Sequence, residues 1–427
     1  MGLNSALKAK FGKKLSRGVL HSPLTYKVVS TLLKQQAGNF SKTALYQTAQ
    51  FAVKQTSAIY TGKKPAVWNT AFFPNELLYG LGLTPFSPEV ASAMAAALDQ
   101  AGPMIDRSEV YWTTRDTCSF HRCAMGLALE GMLPAPVAVV ASSQPCDGAP
   151  KLMEHVARLY KCPMFLLDVP RSPTPEAEEY VAKQLEHMAY RLAAEIGTKP
   201  DKDKLAEALE NANRTRRYWL KVNELRRSIP PCIKSEEALG SLVYLTFTAQ
   251  GSSEMAEIYR LLYEELAARA EREAGKIRRE QRYTRLLWLH LKPYFKNQLF
   301  ANLESDLNAT VVFEEMSHVY WEPLDPADPY RSLARKVLSY FGYGSIERRV
   351  DTIIHLAHRY KADAVVHFSH WGCRQSSGAL IPLRDRLRKA GLPLLILDGD
   401  CVDNHQLGEG QLKTRLQAFV EMVRNKE

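Results

Sequence analysis

Short apolar runs of strand length alternate with segments of helix length along this chain, and no other feature restricts its fold as much. "PVAVVASS" (136–143) is followed by the amphipathic "APKLMEHVARLY" (149–160) and then by "PMFLLDV" (163–169). Strand, helix and strand in so short a stretch form a βαβ unit, because parallel neighbours need a crossover. Runs that are apolar throughout, rather than alternating, suit parallel strands buried on both faces. The pattern returns later: "RLLWLHL", "ATVVFEE", "DAVVHFS" and "PLLILDGD" alternate with helical segments, and "LKTRLQAFVEMV" closes the chain. From Thr174 to about Gln281 the apolar residues recur three and four apart, which reads as helix, with "SIPPCIK" as the clear break. The expected architecture is α/β: two doubly wound (Rossmann/flavodoxin-like) domains with parallel sheets, plus an N-terminal helical segment and a helical insert. The boundaries read as a helical segment over 1–61, an α/β domain over 62–173, a helical region over 174–281 and a second α/β domain over 282–427. A chain of 427 residues is long enough for two or three domains.

Composition narrows the class. With 46% apolar and 24% charged residues the chain reads as soluble and globular, and it lacks an apolar stretch long enough to span a bilayer. Its first residues are basic but carry no apolar signal core, and Ala6 stands where a myristoylation signal needs Ser or Thr. A cytoplasmic protein without a membrane is the expectation. The net charge of +10 gathers at Lys8, Lys10, Lys13, Lys14 and Arg17, and again over Ala267–Arg285, where glutamates interleave. No nucleic-acid motif accompanies this charge, so the reading is a solvated helix face, with an anionic ligand or acidic protein partner as the minority alternative.

The seven cysteines are odd in number and scattered, which argues against a disulfide framework. Ligands of open parallel sheets bind beyond the carboxyl ends of the strands. Cys146 lies just past "PVAVVASS" and Cys373 just past "DAVVHFS", each preceded by Pro or Gly. Gly372 is expected to let the backbone turn close to a bulky group. Cys118, in "RDTCSFHRCAMG", is expected at or near a helix N-terminus, where a thiolate is favoured. Free cysteine is otherwise a buried small hydrophobe, and that reading holds for Cys162 and Cys232, with Cys123 and Cys401 left open. No CxxC or HExxH motif supports zinc, and the compact cysteine run of a bacterial ferredoxin is missing. Three isolated cysteines on separate loops would suit a [4Fe–4S] cluster with one iron left open. His121, His367 and His370 stand near these cysteines as candidate proton carriers, although a histidine beside a strand is more often a structural hydrogen-bonder; His121 and His370 are the catalytic candidates. Arg374 and Gln375 are candidate hydrogen-bond donors to cluster sulfurs. Glu76, in "PNELL", reads as a helix-start carboxylate, and Asp398 and Asp400 as caps.

At "FFPNELLYGLGLTPFSPE", "DTCSFHRCAMG", "CDGAPKLMEHVARLY", "LLDVP", "HWGCRQ" and "LDGDCVDNHQLGEGQLKTRLQAFVEM" the chain resembles the 2-hydroxyacyl-CoA dehydratase / benzoyl-CoA reductase family. The likeness covers roughly Pro65–Val169 and Arg282 to the C-terminus. It implies that Cys118, Cys146 and Cys373 hold one [4Fe–4S] cluster. It also implies a homologous second subunit, an ATP-dependent iron–sulfur activator protein that injects a low-potential electron, and an acyl-CoA or aromatic-CoA substrate. Some relatives carry a double-cubane [8Fe-9S] cluster, but those usually have a further cysteine after the "EE" strand, where "VVFEEMSHVYW" has none; the single cubane is preferred. The implied reaction is radical elimination of water from a 2-hydroxyacyl-CoA. One electron added to the thioester carbonyl gives a ketyl that expels the α-hydroxyl and acidifies the β-hydrogen. The alternatives are aromatic ring reduction as in an ATP-dependent benzoyl-CoA reductase, a double-cubane reductase, or a non-catalytic electron-relay subunit.

Overall fold

The computed structural model describes residues 18–37, 42–274, 283–405 and 408–425. The N-terminal basic cluster, Lys8 to Arg17, lies outside them, as do residues 275–282 of the second basic stretch. Two four-stranded sheets organise the chain. The first contains β1 (Ala66–Asn69), β2 (Thr84–Phe86), β3 (Ala138–Ser142) and β4 (Met164–Leu167), in the order β2-β1-β3-β4. The second contains β5 (Thr284–Leu289), β6 (Ala309–Glu314), β7 (Ala364–His370) and β8 (Leu394–Gly399), in the order β6-β5-β7-β8. Every neighbouring pair is parallel. The two orders are the same, so both sheets have a switch point between their first and third strands, β1/β3 and β5/β7, where a crevice opens at the carboxyl ends.

The α/β expectation is met: the six strand-length runs quoted from sequence form β3, β4, β5, β6, β7 and β8. The helix Ala149–Tyr160 has the bounds read from sequence; it buries Leu152, Met153 and Val156 and stops at Lys161, which is left-handed (φ 53°). Ile346–Arg359 buries Val350, Ile353, Leu356 and Ala357, a spacing of three and four that places one face on the sheet. Alternation along β1 sends Val67 and Trp68 to opposite faces. Val67 joins Val140 and Leu167 in a core completed by Val181, Leu185, Leu209, Trp219 and Tyr259 of the helical region. Trp68 joins Val139 and Ala141 in a second core that also holds Leu286, Trp288, Val366 and Phe368. One continuous apolar cluster therefore draws on both sheets, and it brings their switch points to one place.

The helical region consists of Pro175–Glu195, Lys202–Leu225, Ser235–Thr248 and Ser253–Ala274. "SIPPCIK" falls between the second and third of these. Among the described residues no helix is long and apolar enough to cross a membrane. Glu76 does begin a helix, Asn75–Gly80, but it is also fully buried and ion-paired with Lys336 of the helix Pro329–Ser339. The Lys336 ammonium also lies 4.6 Å from the ring centre of Trp321. This pair ties the first sheet's edge to a segment of the second half.

Candidate active site

The carboxyl ends of β3 and β7 carry the two cysteines read from sequence, Cys146 shortly after Ser142 and Cys373 shortly after His370. Cys118 is the N-cap residue of Ser119–Leu129, and its carbonyl accepts the His121 and Arg122 amides. All three thiols line one cavity of about 260 Å³, together with His121, His290 and His370. Its apolar wall includes Phe72, Phe120, Phe247, Tyr294 and Tyr340. Burial pushes the Cys118 thiol well above its ordinary range, and the Cys146 and Cys373 thiols add to the shift, so the three lie within electrostatic reach of one another. Burial likewise pushes Cys146 up to about 12, with the Ala149 and Gly148 amides pulling against it. Cys373 is raised by burial and pulled down by the Ser376 amide and by Arg349. As free thiols these groups resist ionisation; a metal that takes the proton's place makes the thiolate favourable.

Gly372 makes the convergence possible, though not by leaving room for a cofactor. Its φ is +77°, and a Cβ there would stand 2.9 Å from both the Cα and the backbone nitrogen of Cys118. The loop after β7 therefore crosses directly against the Cys118 backbone, and only glycine permits both the conformation and the approach. Asp400 secures the other side. Its Oδ1 accepts from the Ser119 hydroxyl at 2.6 Å and from the Val402 and Asp403 amides at 2.7 Å each, so it caps a turn as expected.

The histidines divide by what their second nitrogen meets. His370 ends β7; its Nε2 lies 3.3 Å from Cys118 Sγ and its Nδ1 accepts the Cys401 amide at 3.2 Å. His290 was not singled out by sequence. It follows β5 directly, and its Nε2 lies 3.5 Å from Cys373 Sγ while its Nδ1 donates to the Phe368 carbonyl at 3.1 Å. The available signal was its place one residue beyond β5, at the switch point. Burial depresses both, each to about 3, and His121 to about 4. His367 sits within β7, paired with the Ser376 hydroxyl at 2.9 Å, in a structural role.

Arg374 and Gln375 are placed differently from one another. The Arg374 side chain is 83% exposed and stands 3.7 Å from Asp147, while the Gln375 amide lines the cavity and donates to the Gly342 carbonyl at 2.9 Å. Cys123, Cys232 and Cys401 are buried and Cys162 is partly so. Among the described residues no group of three or more His, Cys, Asp or Glu could hold a single metal ion. A cubane distributes its ligands over different irons, so its cysteines need to ring a cavity rather than crowd one point. The three soft donors on one largely apolar cavity match that requirement in chemistry.

The comparisons with known proteins concern the chain as a whole. The family described as "2-hydroxyglutaryl-CoA dehydratase, D-component" matches residues 70–423. The alpha chain of the (R)-phenyllactyl-CoA dehydratase of Clostridium sporogenes is 24% identical over 374 residues, 84% of this chain and 90% of that one. One of the component chains of the benzoyl-CoA reductase of Thauera aromatica is 25% identical over 431 residues, 93% of this chain and 95% of that one. The alpha chain of the (R)-2-hydroxyglutaryl-CoA dehydratase of Acidaminococcus fermentans is 27% identical over 299 residues, 68% of this chain and 61% of that one. Every residue lining the cavity and all strands but β1 lie inside the matched region, and the chain belongs to the 2-hydroxyglutaryl-CoA dehydratase D-component family.

Proposed function

We propose that this chain is the [4Fe–4S]-carrying subunit of an enzyme that removes water from a 2-hydroxyacyl-CoA thioester, with Cys118, Cys146 and Cys373 as cluster ligands. The observation that carries the reading is the meeting of these three thiols on one cavity at the switch points of two like-ordered sheets. When bound, the cluster supplies a low-potential electron to the thioester carbonyl.

The chain's own residues would bind, orient and keep water out. Phe72, Phe120, Phe247 and Tyr340 exclude solvent from the acyl group and lower the local dielectric. Arg349, on the same wall, is held by Glu315 through contacts of 2.7 and 3.2 Å, so its charge is already matched. That favours an uncharged acyl group over one with a second carboxylate. His121 lines the cavity as a neutral imidazole and is the candidate that moves a proton. His370 has both ring nitrogens occupied, which suits it to hold a proton rather than pass one.

The relatives are named as single components of multi-chain enzymes, which supports a homologous second subunit. An ATP-dependent iron–sulfur activator would deliver the electron. Aromatic ring reduction is the second reading, favoured by the aromatic wall and by the likeness to a benzoyl-CoA reductase component over nearly its whole length. Anaerobic purification with the second subunit should give a brown protein with about four irons per chain. Activator, ATP and either an aryl 2-hydroxyacyl-CoA or benzoyl-CoA then separate the readings: dehydration of the first supports the proposal, and reduction of the second alone replaces it with the alternative. Iron without turnover of either assigns the chain to electron relay.

A further inference from the structure

Two buried histidines face two of the three cysteines, and the backbone fixes their protons in opposite senses. At His290 the far nitrogen, Nδ1, meets the Phe368 carbonyl at 3.1 Å. A carbonyl only accepts, so the proton sits on Nδ1 and the neutral ring turns a lone pair toward Cys373 Sγ, 3.5 Å away. At His370 the far nitrogen meets a donor, the Cys401 amide at 3.2 Å. Nδ1 must therefore accept, and the neutral ring carries its proton on Nε2, the atom 3.3 Å from Cys118 Sγ. A second proton on Nδ1 would point at the Cys401 N–H. The nearest carboxylate, Asp400, is 4.0 Å away, and its Oδ1 is already occupied by Ser119, Val402 and Asp403. The His370 ring is further held edge-on to Phe120, with centroids 5.4 Å apart.

We infer that His370 is a positioning residue that donates an Nε2–H hydrogen bond to the Cys118 sulfur and so favours Cys118 as a thiolate ligand, a histidine donor that Cys373, which faces the His290 lone pair, does not receive. The inference rests on the proposed assignment of the cysteines as cluster ligands. Its consequence is electronic asymmetry: a donor on one ligand sulfur draws charge from the metal centre and raises its reduction potential. Cys401 acquires a role in this arrangement through its backbone amide rather than its thiol.

The test has two arms. In the full-length, iron-free chain labelled with 15N and 13C in histidine, the ring shifts report the tautomer directly, with the His370 signal identified by its loss in His370→Gln. The expected result is a neutral Nε2–H ring at His370; an Nδ1–H ring there overturns the inference whatever the chain's iron content. In the anaerobic holoenzyme, redox titration followed by electron paramagnetic resonance compares wild type with His370→Phe and His370→Gln. Removing the donor should lower the reduced-to-oxidised ratio at a fixed poise about tenfold, equal to about 59 mV for one electron. His370→Gln, which returns an N–H near the Nε2 position, should recover most of it. Iron-replete variants with unchanged potential would refute the donor role and leave the ligand assignment standing. A wild-type chain without iron would defeat the ligand assignment, while the nuclear magnetic resonance arm still decides where the proton sits.

Discussion

Cys146 and Cys373 stand at matching places in two different sheets, each just beyond the third strand in a 2-1-3-4 order, β3 for the first and β7 for the second. The third thiol, on Cys118, arrives from a helix N-cap. The site is thus assembled from two strand ends and a helix start contributed by distant parts of the chain.

Cys373→Ser should lose iron while the fold survives, because serine's harder oxygen holds iron poorly and both sheets stay intact. Cys232→Ser is the control. Cys232 is buried in the helical region, its thiol donating to the Leu225 carbonyl at 3.4 Å, far from the strand ends. It should keep full iron and lose about 1 kcal/mol of stability at most, as a buried hydroxyl with a partner nearby. Iron content and denaturant midpoints of both variants check the contrast; equal iron in the two would count against the ligand assignment.

Gly372→Ala should be much worse than Gly82→Ala. Both residues have positive φ, +77° and +72°, but an added Cβ meets the Cys118 backbone at the first and nothing within 4 Å at the second. Backbone conformation alone costs about 1 kcal/mol; at Gly372 the steric clash adds to it and parts Cys118 from Cys373. Thermal unfolding should show a small shift for Gly82→Ala, and a large one with depleted iron for Gly372→Ala. Similar behaviour of the two would mean that the close approach is unimportant.

The Glu76–Lys336 pair was not legible in the sequence, and the reason is general. Strands and helices announced themselves through local patterns: β-branched runs at 138–142 and 364–370, and apolar spacing at 149–160. Cys118 as an N-cap and Asp400 as a turn cap were also local. The partner of Glu76 lies 260 residues away, and the pairing of His290 with Cys373 spans 83. Such contacts depend on how two sheets share one core, through Trp68 and Trp288 among others, which no window of sequence contains. His290 looked like the tail of a strand because its role comes only from what faces it.

Lys336→Met should destabilise the protein by about 3–5 kcal/mol, since it leaves the buried Glu76 carboxylate without its cation. Adding Glu76→Gln should recover a large part of that loss, because the uncompensated charge disappears. A double-mutant cycle in urea measures the coupling, and simple additivity of the two changes would contradict a direct ion pair.

His318 should make stability depend on pH. Burial, then His355 and Arg359, hold its pKa down at about 4. The unfolded chain, with its histidine near 6.5, binds the proton first. The stability contribution is therefore complete above about pH 6.5 and falls as the pH drops toward 4, with a slope of at most about 1.4 kcal/mol per pH unit. His318→Gln should flatten the curve in that window and leave it unchanged above about pH 7. An identical pH profile for the variant would show that His318 titrates like an exposed histidine.

The central claim is that Cys118, Cys146 and Cys373 hold one iron–sulfur cubane between the two sheets. Diffraction from crystals grown without oxygen, recorded on both sides of the iron absorption edge, tests it most directly. The account predicts a single compact iron peak in the cavity bounded by the three sulfurs, with His370 Nε2 against Cys118 and no iron at Cys123, Cys162, Cys232 or Cys401. A cavity without iron in brown, active crystals, or iron held by any of those other four cysteines, would contradict it.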